Sequence, residues 1–130
     1  MFTLRSTDAI STLVTAKVTA LTNGHRYLFH VAATNVAGSG VYSAATAAVP
    51  AARPSQVARP IATSLSGRVT LRWLAPATGG ASITDYVVQF SSNNGLTWST
   101  YRDGVRGTVG ATLVGLRRGV TYRYRVAAVN

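Results

Sequence analysis

The chain contains no cysteine, a single lysine, and three acidic side chains against thirteen basic ones in 130 residues. Without cysteine there is no disulfide framework, no thiolate nucleophile and no thiolate metal ligand, and the redox compartment is left open. The acids, Asp8, Asp85 and Asp103, lie in three separate segments, with Asp85 expected to point outward from a strand, so no carboxylate pair is set up for acid–base chemistry. His25 and His30 fall on a turn and on the outward side of a strand, which predicts solvated histidines rather than metal ligands. Gly38-Ser39-Gly40 precedes a strand instead of a helix and so cannot form a phosphate-binding helix start. The reading is a non-enzyme with no cofactor and no metal. No apolar run approaches the roughly 18 to 20 residues that span a bilayer as a helix. Phe2 to Thr12 has no apolar centre and does not read as a signal peptide.

What the chain does have is a repeat. Leu21 to Asn35 returns as Leu116 to Asn130 with seven of fifteen positions identical, at an offset of 116 − 21 = 95. In each copy a leucine is followed by a turn glycine, Gly24 or Gly119, and then by alternation: Tyr27, Phe29, Val31 in the first, Tyr122, Tyr124, Val126 in the second. Period two with one apolar face predicts a half-buried strand. A tyrosine opening such a strand after a Leu-x-x-Gly turn has the arrangement of a tyrosine corner, whose hydroxyl bonds back to the backbone near Leu21 or Leu116.

Further alternation lies between the copies. Val69 to Trp73 places Trp73 on an apolar face and ends at Pro76. After the Gly79-Gly80 loop, Thr84 to Ser91 sets Tyr86, Val88 and Phe90 on one face. Asn94-Gly95 is a strong hairpin signal, and Trp98 and Tyr101 fall on the returning strand. The expected core is therefore Trp73, Tyr86, Val88, Phe90, Tyr124 and Val126.

A tryptophan near the end of the second strand, a tyrosine on the third, the Leu-Gly-Tyr corner and the closing Val-Ala-Ala-x-Asn together resemble the fibronectin type III family. The resemblance implies an all-β fold, an immunoglobulin-like antiparallel β-sandwich of seven strands lettered A, B, C, C′, E, F and G. On that frame A lies near 56–63, B near 68–74, C near 84–91, C′ near 97–102, E near 108–116 and F near 121–129. Residues 1–49 then read as the C′/E, F and G part of a first module, with Gly38-Ser39-Gly40 in a loop and G over Val41 to Val49. Residues 50–60, with three prolines, read as a semi-rigid spacer. Residues 56–130 read as a second module lacking G. The expectation is a piece of a longer tandem array; a chain folding as it stands would call on the first copy's G strand, or on a second molecule in a strand-swapped dimer, to cover the open edge of F.

The net charge of +10 suggests an anionic partner. Arg68 and Arg72 point out of one sheet and Arg123 and Arg125 out of the other, so the charge is spread, and nucleic acid is a poor fit. If the chain has a ligand surface, it falls on Arg117, Arg118, Arg123 and Arg125, or on Trp98 as an aromatic platform for sugar rings. Arg102-Asp103-Gly104 is not the Arg-Gly-Asp of the family's integrin binders and lies in another loop. The resemblance thus implies a structural spacer and interaction module of a larger secreted or cell-surface protein, whose partners are neighbouring domains of the same polypeptide and a polysaccharide or protein ligand. Twelve of the thirteen basic residues are arginine, which suggests a bacterial gene.

Overall fold

In this computed structural model residue 12 and residues 14–130 are described, and among them the chain forms ten strands and no helix. No helix among the described residues is long and apolar enough to cross a membrane. The chain divides into two compact units at Pro50/Ala51.

In the first unit β1 (Tyr27–Phe29) pairs antiparallel with β4 (Thr46–Ala48), and β2 (Thr34–Asn35) pairs with β3 (Gly38–Ser39). The stretch from Val36 to Gly40, expected as a plain loop, is thus the turn and return of a small hairpin. It is fixed by the Ala37 N–H donating to Asn35 Oδ1 at 2.9 Å and by a 2.9 Å bond between the Thr34 and Ser39 hydroxyls. The long strand expected over Val41 to Val49 shrinks to three residues, and these pair inside their own unit with β1. Val31, on the apolar side of the alternation, is 70% exposed. The C′ and E strands expected at the start of the first copy, and Asp8, lie largely outside the described residues; residues 14–20 form no strand.

The second unit holds two three-stranded antiparallel sheets. One has β6 (Arg68–Arg72) between β5 (Ile61–Leu65) and β9 (Gly110–Leu113); the other has β7 (Asp85–Ser91) between β8 (Ser99–Tyr101) and β10 (Arg123–Val129). Period-two alternation sends Val69, Leu71, Tyr86, Val88 and Leu113 inward, where with Val57 and Trp73 they form the buried core. Leu71, Val88 and Leu113 are fully buried, a contribution of about 1.5–3 kcal/mol each. Trp73 meets Tyr86 edge-on with ring centroids 5.3 Å apart. Phe90, Tyr124 and Val126 pack against this cluster while staying half-buried.

Two segments of the second unit are held by specific bonds. Within the stretch expected as a semi-rigid spacer, residues 52–57 are bonded into the second unit. The Ala52 N–H donates to the Gly79 carbonyl and the Ser55 N–H to that of Ala77, the Asn130 amide bonds the Ala52 carbonyl, and Val57 enters the core. Strand pairing then starts late, at Ile61, because Pro60 has no N–H to give to a ladder. In the β7–β8 connection Asn94 and Gly95 both take positive φ, 62° and 95°, with the Leu96 N–H donating to the Asn93 carbonyl. The two strands nevertheless first pair at Phe90 and Ser99. The intervening residues are held by side chains: buried Ser91 accepts from the Asn93 and Gly95 N–H groups, and Asn93 Oδ1 accepts from the Thr97 N–H.

Candidate interaction face

The outward side of the β8–β7–β10 sheet carries a row of bonded polar side chains. Along β10 the exposure alternates, so Arg123, Arg125, Ala127 and Val129 share the solvent face while Tyr124, Val126 and Ala128 lean on the core. Antiparallel register sets Arg125 opposite Gln89, and Gln89 opposite Thr100. The side chains follow that row. Arg125 Nε donates to Gln89 Oε1 at 2.8 Å, and Gln89 Nε2 donates to the Thr100 hydroxyl at 3.1 Å. The guanidinium lies over the indole of Trp98, its carbon 4.3 Å from the ring centroid.

Trp98 is half-buried. One face is covered by Arg125, and Gly95 sits against the ring, where an added Cβ would be 3.5 Å from the indole. A sugar ring would first have to displace the guanidinium. Arg123 stays exposed on the same face, opposite Ser91. Arg118 lies elsewhere. The Arg117 backbone N–H donates to the Tyr122 hydroxyl, and the Arg118 guanidinium runs alongside Gly67 in the β5–β6 turn, at the end of the other sheet. Of the four arginines expected to share a ligand surface, Arg118 thus points away from Arg123 and Arg125.

The two tyrosines of the repeat make equivalent bonds. The Thr22 N–H donates to the Tyr27 hydroxyl at 2.9 Å, and the Arg117 N–H to the Tyr122 hydroxyl at 3.1 Å, each five residues back and one residue past the half-buried Leu21 or Leu116. Tyr122 also packs edge-on against Phe90 at 5.9 Å. Burial pushes the Tyr124 hydroxyl above its ordinary pKa, with the neighbouring Tyr122 adding to the shift.

Asp85 is not a freely solvated carboxylate: Oδ1 accepts the Arg106 N–H at 2.8 Å, which ties down the loop before β9. His30 packs against Tyr42 with ring centroids 4.2 Å apart, and no group of three metal-ligating side chains occurs among the described residues. Gln89 and Thr100 escaped the sequence reading. The signal was present, since Gln89 is the polar position between Val88 and Phe90 on a strand paired with F.

Residues 54–130 match the family model described as the fibronectin type III domain. The chain belongs to the fibronectin type III family. Mouse protein sidekick-1 is 32% identical over 118 residues, covering 88% of this chain and 5% of that protein. Human protein sidekick-1 is 31% identical over the same length. Human roundabout homolog 3 is 34% identical over 82 residues, 62% of this chain and 6% of that protein. The chain thus spans only about a twentieth of the relatives it matches. For this fibronectin type III sandwich the paired sheets place the Trp98–Arg125 row on one outer face and the β5–β6–β9 sheet on the other.

Proposed function

We propose that this chain is a non-catalytic interaction module of a larger extracellular or cell-surface polypeptide, presenting the outward face of β7, β8 and β10 to a protein partner. The observation that carries the reading is the Arg125 guanidinium held over Trp98 and bonded to Gln89 on an exposed sheet face of a fibronectin type III sandwich. An exposed arginine held in this way has already given up much of the rotamer freedom that binding would otherwise remove. Family membership supports the extracellular setting, and the small share of its relatives that the chain spans supports a role as one module among others, with neighbouring domains on the same polypeptide. A tandem arrangement, with residues 1–49 as part of a first module, is proposed on the Leu21–Asn35 repeat. A bacterial source is a separate proposal resting on the arginine bias; the relatives named above are vertebrate proteins.

The test is module replacement in the full polypeptide. Beads coated with it are compared for capture on cells with beads carrying two altered forms. In one, residues 54–130 are deleted; in the other they are exchanged for an unrelated fibronectin type III sandwich with only Ser and Thr on the corresponding face. Capture lost in both forms supports an interaction module. Capture lost only on deletion leaves spacing as the role, and capture retained in both contradicts the proposal.

A further inference from the structure

The outward face just described has a chemistry that selects among partners. Arg125 spends Nε on Gln89, and among the described residues it makes no other hydrogen bond, so its Nη donors remain for a ligand. Arg123 lies two residues away on the same side of β10, a separation of about 6.6–6.8 Å along a strand. The same distance separates same-side side chains of any extended peptide. Further along β10 the face continues as Ala127 and Val129, both exposed. The acid on this sheet, Asp85, lies at the far end of β7, opposite Val129, with its carboxylate already holding the Arg106 N–H.

We propose that this face docks an extended acidic protein segment, with carboxylates at two alternate positions on Arg123 and Arg125 and small apolar side chains at the next two alternate positions over Ala127 and Val129. Planar guanidinium and carboxylate pair through two parallel hydrogen bonds, which favours Arg125 as the anchor. Charge complementarity points to an anion, and the spacing points to a peptide. The covered indole argues against a sugar chain, since the ring face that would stack on sugar is taken by Arg125. Trp98 and Gln89 act as positioning residues. The inference deepens the interaction reading given under "Proposed function" and rests on it.

The test uses the whole 130-residue chain, labelled with ¹⁵N. It is titrated at about 20 mM salt, where exposed charges are weakly screened. The probes are a synthetic peptide carrying Glu at two alternate positions and Val at the next two, its Gln counterpart, and a heparin hexasaccharide. The expected result is amide shifts confined to β7, β8 and β10 with the Glu peptide and none with the Gln peptide. The double variant R123Q/R125Q binds the Glu peptide about tenfold more weakly. R68Q/R72Q, which removes the same charge from the other sheet, loses about threefold or less. Gln89→Glu, which gives Arg125 a carboxylate of its own, weakens binding by no more than the double variant R123Q/R125Q does while leaving thermal unfolding intact. Equal losses for the two double variants would mean that net charge alone is read, and would overturn the proposal. So would binding of the heparin fragment without the peptide, which would assign the face to an acidic glycan, and so would no binding of either. None of these failures alters the module-replacement result, so the two claims fail separately.

Discussion

The guanidinium of Arg125 lies 4.3 Å above the indole centroid of Trp98 while its Nε bonds Gln89 across the strand pair. The indole attracts the cation through its ring quadrupole, and the amide sets the orientation of the guanidinium plane. A lysine at this position can keep one of these contacts but not both. Arg125→Lys is therefore expected to lower stability by only about 0.5–1 kcal/mol. Urea unfolding followed by circular dichroism measures this, and a loss much beyond that range would mean that Arg125 is a structural residue.

Tyr122→Phe removes the acceptor of the Arg117 N–H and keeps the ring that packs on Phe90. The bond lies at the surface, so water replaces it in part. The expected cost is about 0.5–1.5 kcal/mol. Tyr122→Ala, which also loses the ring contacts, costs more in the same unfolding assay.

Gly79 has φ +73°, and a Cβ there would run into the carbonyl oxygens of Ala52 and Arg53. Both causes act against Gly79→Ala, with an expected cost of about 2 kcal/mol or more. Gly104 has φ +77° with nothing near its would-be Cβ, so Gly104→Ala carries the backbone cost alone, about 1 kcal/mol. Comparing the two melting temperatures separates the docking of residues 52–53 from turn strain. Equal shifts would contradict the docked N-terminal segment.

Trp73 Nε1 is buried without a hydrogen-bond partner among the described residues. Trp73→Phe removes that unpartnered donor along with part of the ring, and the two effects oppose each other. Stability is expected to change by less than about 2 kcal/mol, whereas Trp73→Ala costs about 3–5 kcal/mol. Thermal unfolding of both variants checks the ordering.

The Tyr124 hydroxyl titrates above its ordinary value of 10.0 because burial disfavours the phenolate and Tyr122 adds to the effect. Its folded pKa is raised, so this contribution is fully present below the unfolded value and is lost as pH rises through the folded one. Stability should fall as pH climbs past about 10, and Tyr124→Phe should flatten that fall. Denaturant midpoints across this range in both proteins read it directly.

The sandwich was legible because its core residues sit on period-two strands: Trp73, Tyr86 and Val88 could be assigned inward from alternation alone, and all three are buried. Strand ends were less legible, since Pro60 delayed the first strand of the second unit and Ser91 with Asn93 held the β7–β8 connection through side-chain bonds that no periodicity signals. The face was half legible. Trp98, Arg123 and Arg125 stood out by residue type, but the bond to Gln89 depends on register, and the stacking of one side chain on another depends on rotamers. Arg117 and Arg118 were grouped with them by closeness in sequence, whereas the turn before β10 sends Arg118 toward Gly67.

The central claim is that Arg125 is held in place before any partner arrives. Its Nε–H resonance in a ¹H–¹⁵N spectrum tests this most directly. A guanidinium stacked on an indole and bonded to Gln89 predicts an upfield, ring-current-shifted signal in slow exchange with water, moving to the ordinary arginine position in Trp98→Ala. A signal already at the ordinary position, rapidly exchanging and unchanged by Trp98→Ala, would contradict the account.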